Sequence, residues 1–392
     1  MPQNRRTGSA KTLKLTHTGD PAFRSVLETA LTSAGPQDRW THHFHTWPAG
    51  LHPDAAAALI PLIPAGPVLD PFMGGGTTLV EAMASGRAAY GRDISPIAVK
   101  VARTRTALVR EEMLTRFRSE ARRIADDAKR NSELPSRGLI LLEEWYQPHV
   151  LRELEGIRAG IENAAPEVYG LLEACFSSIL IKTSFRQSDT VNKRVPTKRP
   201  KGSTAILFHK KARELGRRLE DFGNAVPAGT PYANIQYGEA TKIEGVRNVA
   251  GILTSPPYPG VYDYLPLQQL RNVWLGQPKD DRYDDEMGSR RSFRQNIREG
   301  IKAWHSATNR WMREAAKVVE PGGRLIIVIG NGFVGRRPMD TLEPTMRAAQ
   351  QTPFKLLART TAQRPDNIGG VREEHLFVFE QPERPPARGK RS

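Results

Sequence analysis

Two short apolar runs, Val68-Leu-Asp70 and Ala88-Ala-Tyr-Gly91, each lead into an acid, Asp70 and Asp93. Between them Pro71-Phe-Met-Gly-Gly-Gly76 is followed by Thr77 to Ser85, where Leu79, Val80 and Met83 fall at helical spacing. Ser95-Pro96 opens another helix, with proline in its first turn. Strand, glycine turn, helix, strand and acid make one βαβ unit of a parallel sheet. Further strands are predicted at Ala233–Tyr237, Val249–Thr254, Arg324–Ile329 after the Pro321-Gly-Gly turn, Phe354–Thr360 and His375–Phe379. From about 105 to 230 the pattern changes: Leu114–Ala128, Val150–Ile161 and Glu167–Ile181 have helical periodicity, with no alternating run between them.

The sheet pattern therefore brackets a helical insertion. The chain divides into a mobile basic arm (1–20), a first part of an α/β domain (21–107), the insertion (108–230), a second part (231–380) and a Pro- and Arg-rich tail (381–392). No internal repeat is present.

Of 392 residues, 58 are Lys or Arg and 42 Asp or Glu, a net charge of +16; this points to a polyanionic partner, most commonly nucleic acid. The apolar fraction of 39% suffices for a core. No run approaches the ~18 apolar residues of a membrane span, and the first residues lack a signal-peptide stretch, so a soluble cytoplasmic protein is expected. Cys175 is the single cysteine, which excludes an internal disulfide and a thiolate zinc cage. Eleven Lys or Arg against two acids fall between Arg186 and Arg218, and residues 187–202 are too polar to pack, which predicts a basic loop.

Glycines after a strand let a ligand approach the backbone, and the helix that follows aims free N–H groups at it. The turn after Asp70 is neither a phosphate loop nor Gly-x-Gly-x-x-Gly. Asp93 ends the next strand, where an acid accepts hydrogen bonds from ribose or caps a helix. Thr254-Ser-Pro-Pro-Tyr258 leaves the apolar run Val249–Leu253. Its prolines make the chain rigid and leave carbonyls free, so Ser255 and Pro256 suit a planar group carrying an NH₂, with Tyr258 as a stacking ring.

These residues resemble the S-adenosylmethionine-dependent amino-methyltransferases of DNA. Asp70-Pro-Phe-Met-Gly-Gly-Gly is similar to the family's Phe-x-Gly-x-Gly motif for the methionine part of the cofactor, Asp93 to its ribose-binding acid, and Gly238-Glu-Ala240 to the segment lining adenine. Ser255-Pro-Pro-Tyr258 has the form most often seen in cytosine-N4 enzymes; Phe44-His-Thr-Trp-Pro-Ala49 and His52-Pro53 resemble the segment that closes over the cofactor. Pro321–Asn331 and Arg372–Phe379 resemble the late strands.

The resemblance implies a Rossmann-like class I methyltransferase fold with a mostly parallel seven-stranded sheet. It implies Ser255, Pro256, Pro257 and Tyr258 as catalytic residues, and His45, Trp47, Pro48, Asp70, Phe72, Gly74, Gly76, Thr77, Asp93, Glu239 and Ala240 as contacts to S-adenosylmethionine. The implied reaction is methylation of cytosine N4 in double-stranded DNA, with the base flipped into the pocket and a restriction endonuclease as a companion of such an enzyme. Adenine-N6 methylation, RNA amine methylation and a non-catalytic nucleic-acid-binding protein are the alternatives. Two departures stand out. The glycine motif precedes the tetrapeptide, whereas many cytosine-N4 enzymes have the reverse order, and Glu239 stands where Asp is commoner.

Within this reading the insertion is the candidate DNA-contacting region, with Arg186, Lys193, Arg194, Lys198 and Arg199 as phosphate contacts. His42, His43, His45 and His52 cluster without cysteine and with only Asp54 as a nearby carboxylate, so no metal is expected. Cys175 sits in a helical run and reads as core, against C5 methylation, which needs a cysteine nucleophile. Arg290, Arg291 and Arg294 pair with the acidic stretch from Asp280 to Glu286 or contact DNA; Asp263 and Tyr264 line the base pocket or cap a helix. Trp304 and Trp311 read as core.

Overall fold

Val249–Thr254 is buried along its whole length, as a strand covered on both faces must be. In the computed structural model, which describes residues 13–35, 38–48, 50–136, 138–277, 286–335, 337–365 and 371–383, this strand lies inside an eight-stranded sheet. The strands are β1 (Lys14–Gly19), β2 (Val68–Asp70), β3 (Ala89–Asp93), β4 (Asn234–Tyr237), β5 (Val249–Thr254), β6 (Val319–Gly330), β9 (Lys355–Pro365) and β10 (Val371–Glu380). A separate hairpin pairs β7 (Gly332–Val334) with β8 (Arg337–Met339). The sheet order is β1-β9-β10-β6-β5-β2-β3-β4. Five strands, β6 to β4 in that order, are mutually parallel; β10, β9 and β1 continue antiparallel.

The α/β class with a largely parallel sheet is as the sequence predicts, but the strand count is eight. The additional strand comes from the segment expected to be a mobile arm: Lys14–Gly19 pairs with β9 from Lys14 opposite Gln363 to Gly19 opposite Ala358. Leu13 and Leu15 pack on the core beside it, and the open edge of β9 supplies the hydrogen-bonding groups. A Lys-Leu-Thr-His-Thr alternation hides easily in a polar segment. Residues 1–12, and 384–392 of the expected tail, lie outside the described residues.

The insertion consists mainly of the helices Glu111–Ala128, Pro148–Glu162, Pro166–Thr183 and Ser203–Ala225. Its core includes Phe117, Leu154, Leu172 and Phe208, all unexposed. That core also takes in Phe44 from before β2 and Leu270 and Trp274 from after β5, so the insertion shares its packing with both flanking parts. Half of the basic run becomes the last of these helices, burying Phe208, Ala212, Leu215, Leu219 and Phe222 on one side. Only 187–202 is the loop that the polarity of the segment predicts. Among the described residues no helix is long and apolar enough to cross a membrane.

Candidate active site

The chain passes from β2 outward through β3 and β4, then returns to place β5 beside β2. Such a reversal leaves a crevice at the carboxyl ends of the strands, and a cavity occupies it. Trp47, Pro48, Asp70, Phe72, Gly74 and Thr77 line one side. Asp93, Glu239 and Ala240 lie at the ends of β3 and β4, and Ser255 and Pro257 come from the turn after β5.

The glycine turn is shaped by its neighbours. Gly74 has φ +48°, and a Cβ there would come within 2.5 Å of Trp47 Nε1, so the Trp47 ring packs directly on the bare backbone. Gly74 N donates to Asp93 Oδ2 at 3.0 Å and Ser95 N to Asp93 Oδ1 at 2.8 Å. Burial raises the Asp93 pKa to about 6 despite those two donors. Asp70 behaves alike: Thr254 Oγ1 donates to it at 2.7 Å and Phe72 N at 3.1 Å, while burial raises its pKa to about 6.

Arg105 clamps the segment before β2 onto this turn. Its buried guanidinium donates to the carbonyls of Phe44 (2.9 Å), Gly75 (3.1 Å) and His45 (2.6 Å), and burial lowers its pKa to about 10.

Two expected cofactor contacts lie elsewhere. His45 is buried with Nε2 against Ser177 Oγ at 2.8 Å; burial holds its pKa well below the usual histidine range, and it does not line the cavity. Its backbone carbonyl, bound to Arg105, is what matters to the site. Gly76 also stays out of the cavity lining. It takes φ +80° to start the helix Thr77–Ala84, where a Cβ would press on Ala102 at 3.0 Å.

Ser255 also lines a second cavity, with Gly50, Leu51 and Tyr264 common to both. Pro256 is buried between them in sequence, and Pro257 carries its carbonyl 3.4 Å from Trp304 Nε1. Tyr258 faces the second cavity only. Its hydroxyl donates to Glu374 Oε1 at 3.0 Å, and the Arg372 guanidinium lies 5.4 Å from its ring centre. Burial, then the Glu374 carboxylate, raises the Tyr258 pKa well above the usual phenol value.

Glu286, Trp304 and Arg310 are among the lining residues that the sequence did not point to. Glu286 is buried; its Oε1 accepts from Tyr264 N, and its Oε2 has no hydrogen-bond partner among the described residues. Burial raises its pKa to about 8. Trp304 is core, as read from the sequence, yet also forms a cavity wall, as does Arg310. No local motif marks any of them, because helix Ile297–Val318 and residue 286 reach the site only through tertiary packing. Trp311 is plain core, edge-on to Phe72 at 5.5 Å.

Of the five basic residues read as phosphate contacts, Lys193, Arg194 and Lys198 are exposed. Arg194 also donates to the Glu144 carbonyl at 2.8 Å and lies over the Phe185 ring. Arg199 is half-buried, bonded to the Lys182 carbonyl. Arg186 is a correction: it is 5% exposed, its guanidinium 2.6 Å from the Leu267 carbonyl, and so it holds the loop base in place of reaching a phosphate.

Asp263 lines neither cavity and makes no side-chain cap on the helix Tyr264–Leu267 that it precedes; its Oδ1 accepts from Arg291 N at 2.8 Å, in the first turn of the helix Arg290–Gln295. Arg290 donates to the Val261 carbonyl, and the acidic residues 280–285 lie outside the described residues. Cys175 is unexposed in the insertion core, its thiol pKa raised well above the usual value by burial. His42 meets Glu81 at 2.6 Å, and His52 caps the helix Pro53–Leu59 through Asp54 N.

No protein-family model matches the chain. It is 27% identical over 271 residues to the type II methyltransferase M.MvaI of Kocuria varians, a match that covers 62% of this chain and 59% of that protein. Solved structures that resemble it include an S-adenosylmethionine-dependent methyltransferase from Methanosarcina mazei (9% identity; 81% of this chain and 93% of that one; TM-score 0.31). Another is the glycopeptide N-methyltransferase MtfA in complex with S-adenosyl-L-methionine (8% identity; 93% and 98%; TM-score 0.29).

Proposed function

We propose that this protein transfers a methyl group from S-adenosylmethionine to the N4 amine of cytosine in double-stranded DNA. The observation that carries the proposal is the position of Ser255, which lines both the cavity over the parallel strands and the cavity beside Tyr258. A donor in the first and an acceptor base in the second would meet at that residue.

The residues of the first cavity suit such a cofactor. Asp70, Asp93, Glu239 and Glu286 surround it with carboxyl groups, which match a ligand bearing a sulfonium, an ammonium and ribose hydroxyls. The buried Oε2 of Glu286 lacks a partner among the described residues, and a buried polar atom of that kind calls for one. Asp93 would accept from the ribose hydroxyls, Trp47 and Pro48 would cover the methionine part, and Glu239 and Ala240 would border the adenine. The bound cofactor supplies an electrophilic methyl group on sulfur.

The tetrapeptide does the rest. A cytosine amine is a poor nucleophile because its lone pair is delocalised into the ring. Acceptors at Ser255 Oγ and the Pro256 carbonyl would favour the pyramidal NH₂ and stabilise the positive charge that develops on it as the methyl–sulfur bond breaks and the methyl–nitrogen bond forms; the methylated amine then loses one proton to solvent. Rigid prolines hold those acceptors in place, so most of the acceleration comes from orientation. Tyr258 would stack on the base, which must leave the duplex to reach it. Lys193, Arg194 and Lys198 are exposed for phosphates, which position the duplex without reading its sequence. A type II enzyme of this kind would act beside a restriction endonuclease of matching specificity.

Incubation of unmethylated duplex DNA with the protein and methyl-labelled S-adenosylmethionine tests the proposal. Label should enter DNA with the wild type and fall by at least a hundredfold with Ser255→Ala. Label in RNA but not DNA, or in neither, contradicts it.

A further inference from the structure

The second cavity, of about 400 Å³, is walled on one side by three charged side chains from the antiparallel end of the sheet: Arg364 on β9 and Arg372 and Glu374 on β10. Their commitments differ. Glu374 is spent on two neighbours, accepting from the Tyr258 hydroxyl at 3.0 Å and from Arg364 Nη2 at 3.3 Å. Arg364 is tied as well to the Leu31 carbonyl. Together they fix the Tyr258 ring, whose edge lies so close to Gly330 that a Cβ there would stand 2.7 Å from Tyr258 Cε2.

Arg372 has another relation to the site. Its guanidinium lies 5.4 Å from the centre of the Tyr258 ring and 5.9 Å from that of Phe333. The N–H donors of the guanidinium point outward in its plane, and among the described residues they have no hydrogen-bond partner, which leaves them to a ligand in the cavity.

A cytosine presents a defined pattern to such a wall. Beside the N4 amine it carries two adjacent acceptors, N3 and then O2. Adenine carries one acceptor, N1, and then a C2–H. A planar fork of donors matches the first pattern twice and the second once.

We propose that Arg372 is the residue that selects the target base, its guanidinium donating to N3 and O2 of a cytosine whose amine is held at Ser255. This rests on the function proposed above and adds to it a source of base choice outside the tetrapeptide. Glu374 and Arg364 are positioning residues that act through Tyr258. A Lys at 372 would offer a point charge in place of a fork and would not restore the double contact.

The test compares two duplexes that carry the target sequence, as mapped from the modified positions in DNA treated with the wild type. One has cytosine at the target position and the other 3-deazacytosine, which keeps the amine and O2 but replaces N3 by C–H. Wild type should favour cytosine in kcat/KM by about 10- to 100-fold, the range of one well-made polar contact to a base. Arg372→Met, which keeps the apolar stem, should be slower on cytosine and should lose most of that preference. Arg372→Lys should fall between them.

Calorimetric titration with S-adenosylmethionine, unchanged in both variants, shows that the first cavity has kept its fold. A preference for cytosine that survives undiminished in Arg372→Met overturns the inference while leaving the methyltransferase reading intact. So does equal modification of both duplexes by the wild type. A wild type that modifies no cytosine overturns the reading and this inference together.

Discussion

The backbone N–H of Gly74 donates to Oδ2 of Asp93 across 3.0 Å, tying the glycine turn after β2 to the acid that ends β3. The same carboxylate holds Ser95 N at the start of the next helix. One side chain therefore sets the shape of the crevice and also faces it. In the proposed complex the ribose hydroxyls would donate to this group, and an ionised carboxylate is the stronger acceptor.

Asp93 has its pKa raised to about 6 in the free protein. Binding that favours the ionised form must weaken as the group is protonated, so the part of the affinity for S-adenosylmethionine that Asp93 supplies should be constant above pH 7. Below pH 6 it should fall, approaching about tenfold per unit. Asp93→Asn should bind about 10- to 100-fold more weakly at pH 8, as expected for loss of hydrogen bonds to a charged group, and should show a shallower acid limb, the remainder belonging to Asp70 in the same cavity. Calorimetric titration between pH 5 and 8 checks both.

Asp70 yields a stability prediction of definite sign. Its folded pKa of about 6 lies above the ordinary aspartate value of 3.8, so the folded chain binds this proton more tightly than the unfolded one. The contribution is full below pH 4, declines as pH rises to about 6, and is absent beyond. Asp70→Asn removes the buried charge. Relative to wild type it should gain about 1–3 kcal/mol at pH 8 and nothing from this source at pH 4. Denaturant unfolding of both proteins at the two pH values is the measurement.

Much of this geometry is legible in the sequence, and the limits are instructive. Strands β2 and β5 and their trailing turns follow from apolar runs broken by glycine or proline, signals that are local. Trp304 is legible as core, but its second role as cavity wall is not, since the helix that carries it meets Pro257 only through tertiary packing. Glu286 carries no motif at all. Arg186 misled because a basic loop suggests phosphate contact, and only packing reveals that its guanidinium turns inward to Leu267. Leu13 and Leu15 drew β1 onto the sheet through an alternation too short to stand out from its polar surroundings.

Arg105 joins the segment before β2 to the glycine turn by three hydrogen bonds to carbonyls. Arg105→Met keeps the stem but orphans those acceptors in the interior. A loss of about 3 kcal/mol or more is expected, the range for breaking a buried polar network. Affinity for S-adenosylmethionine should fall as well, because Trp47 loses its support. Thermal unfolding together with cofactor titration distinguishes this from a purely structural defect.

Tyr258→Phe keeps the ring and loses the hydroxyl that donates to Glu374; methyl transfer should slow several-fold. Tyr258→Ala removes the stacking surface and should slow it by about 100-fold or more, base stacking on an aromatic ring being worth about 1–3 kcal/mol and its orientation more. Cofactor affinity should be unchanged in both. Single-turnover rates with saturating cofactor provide the comparison.

Lys193 and Lys198 project from the exposed loop. If each meets one phosphate, Lys193→Ala and Lys198→Ala should each lower the slope of log K against log salt by about 1 and weaken all duplex sequences alike. Arg186→Ala should instead reduce thermal stability, since that side chain is buried against Leu267. Filter binding across a salt series, with melting curves alongside, separates the two.

Mass spectrometry of nucleosides from duplex DNA incubated with the protein and labelled S-adenosylmethionine identifies both the reaction and the base. Labelled N4-methylcytosine is expected from the wild type and none from a Ser255→Ala, Tyr258→Ala double variant. Labelled N6-methyladenine in its place, or N4-methylcytosine that persists in the double variant, would contradict the proposed function.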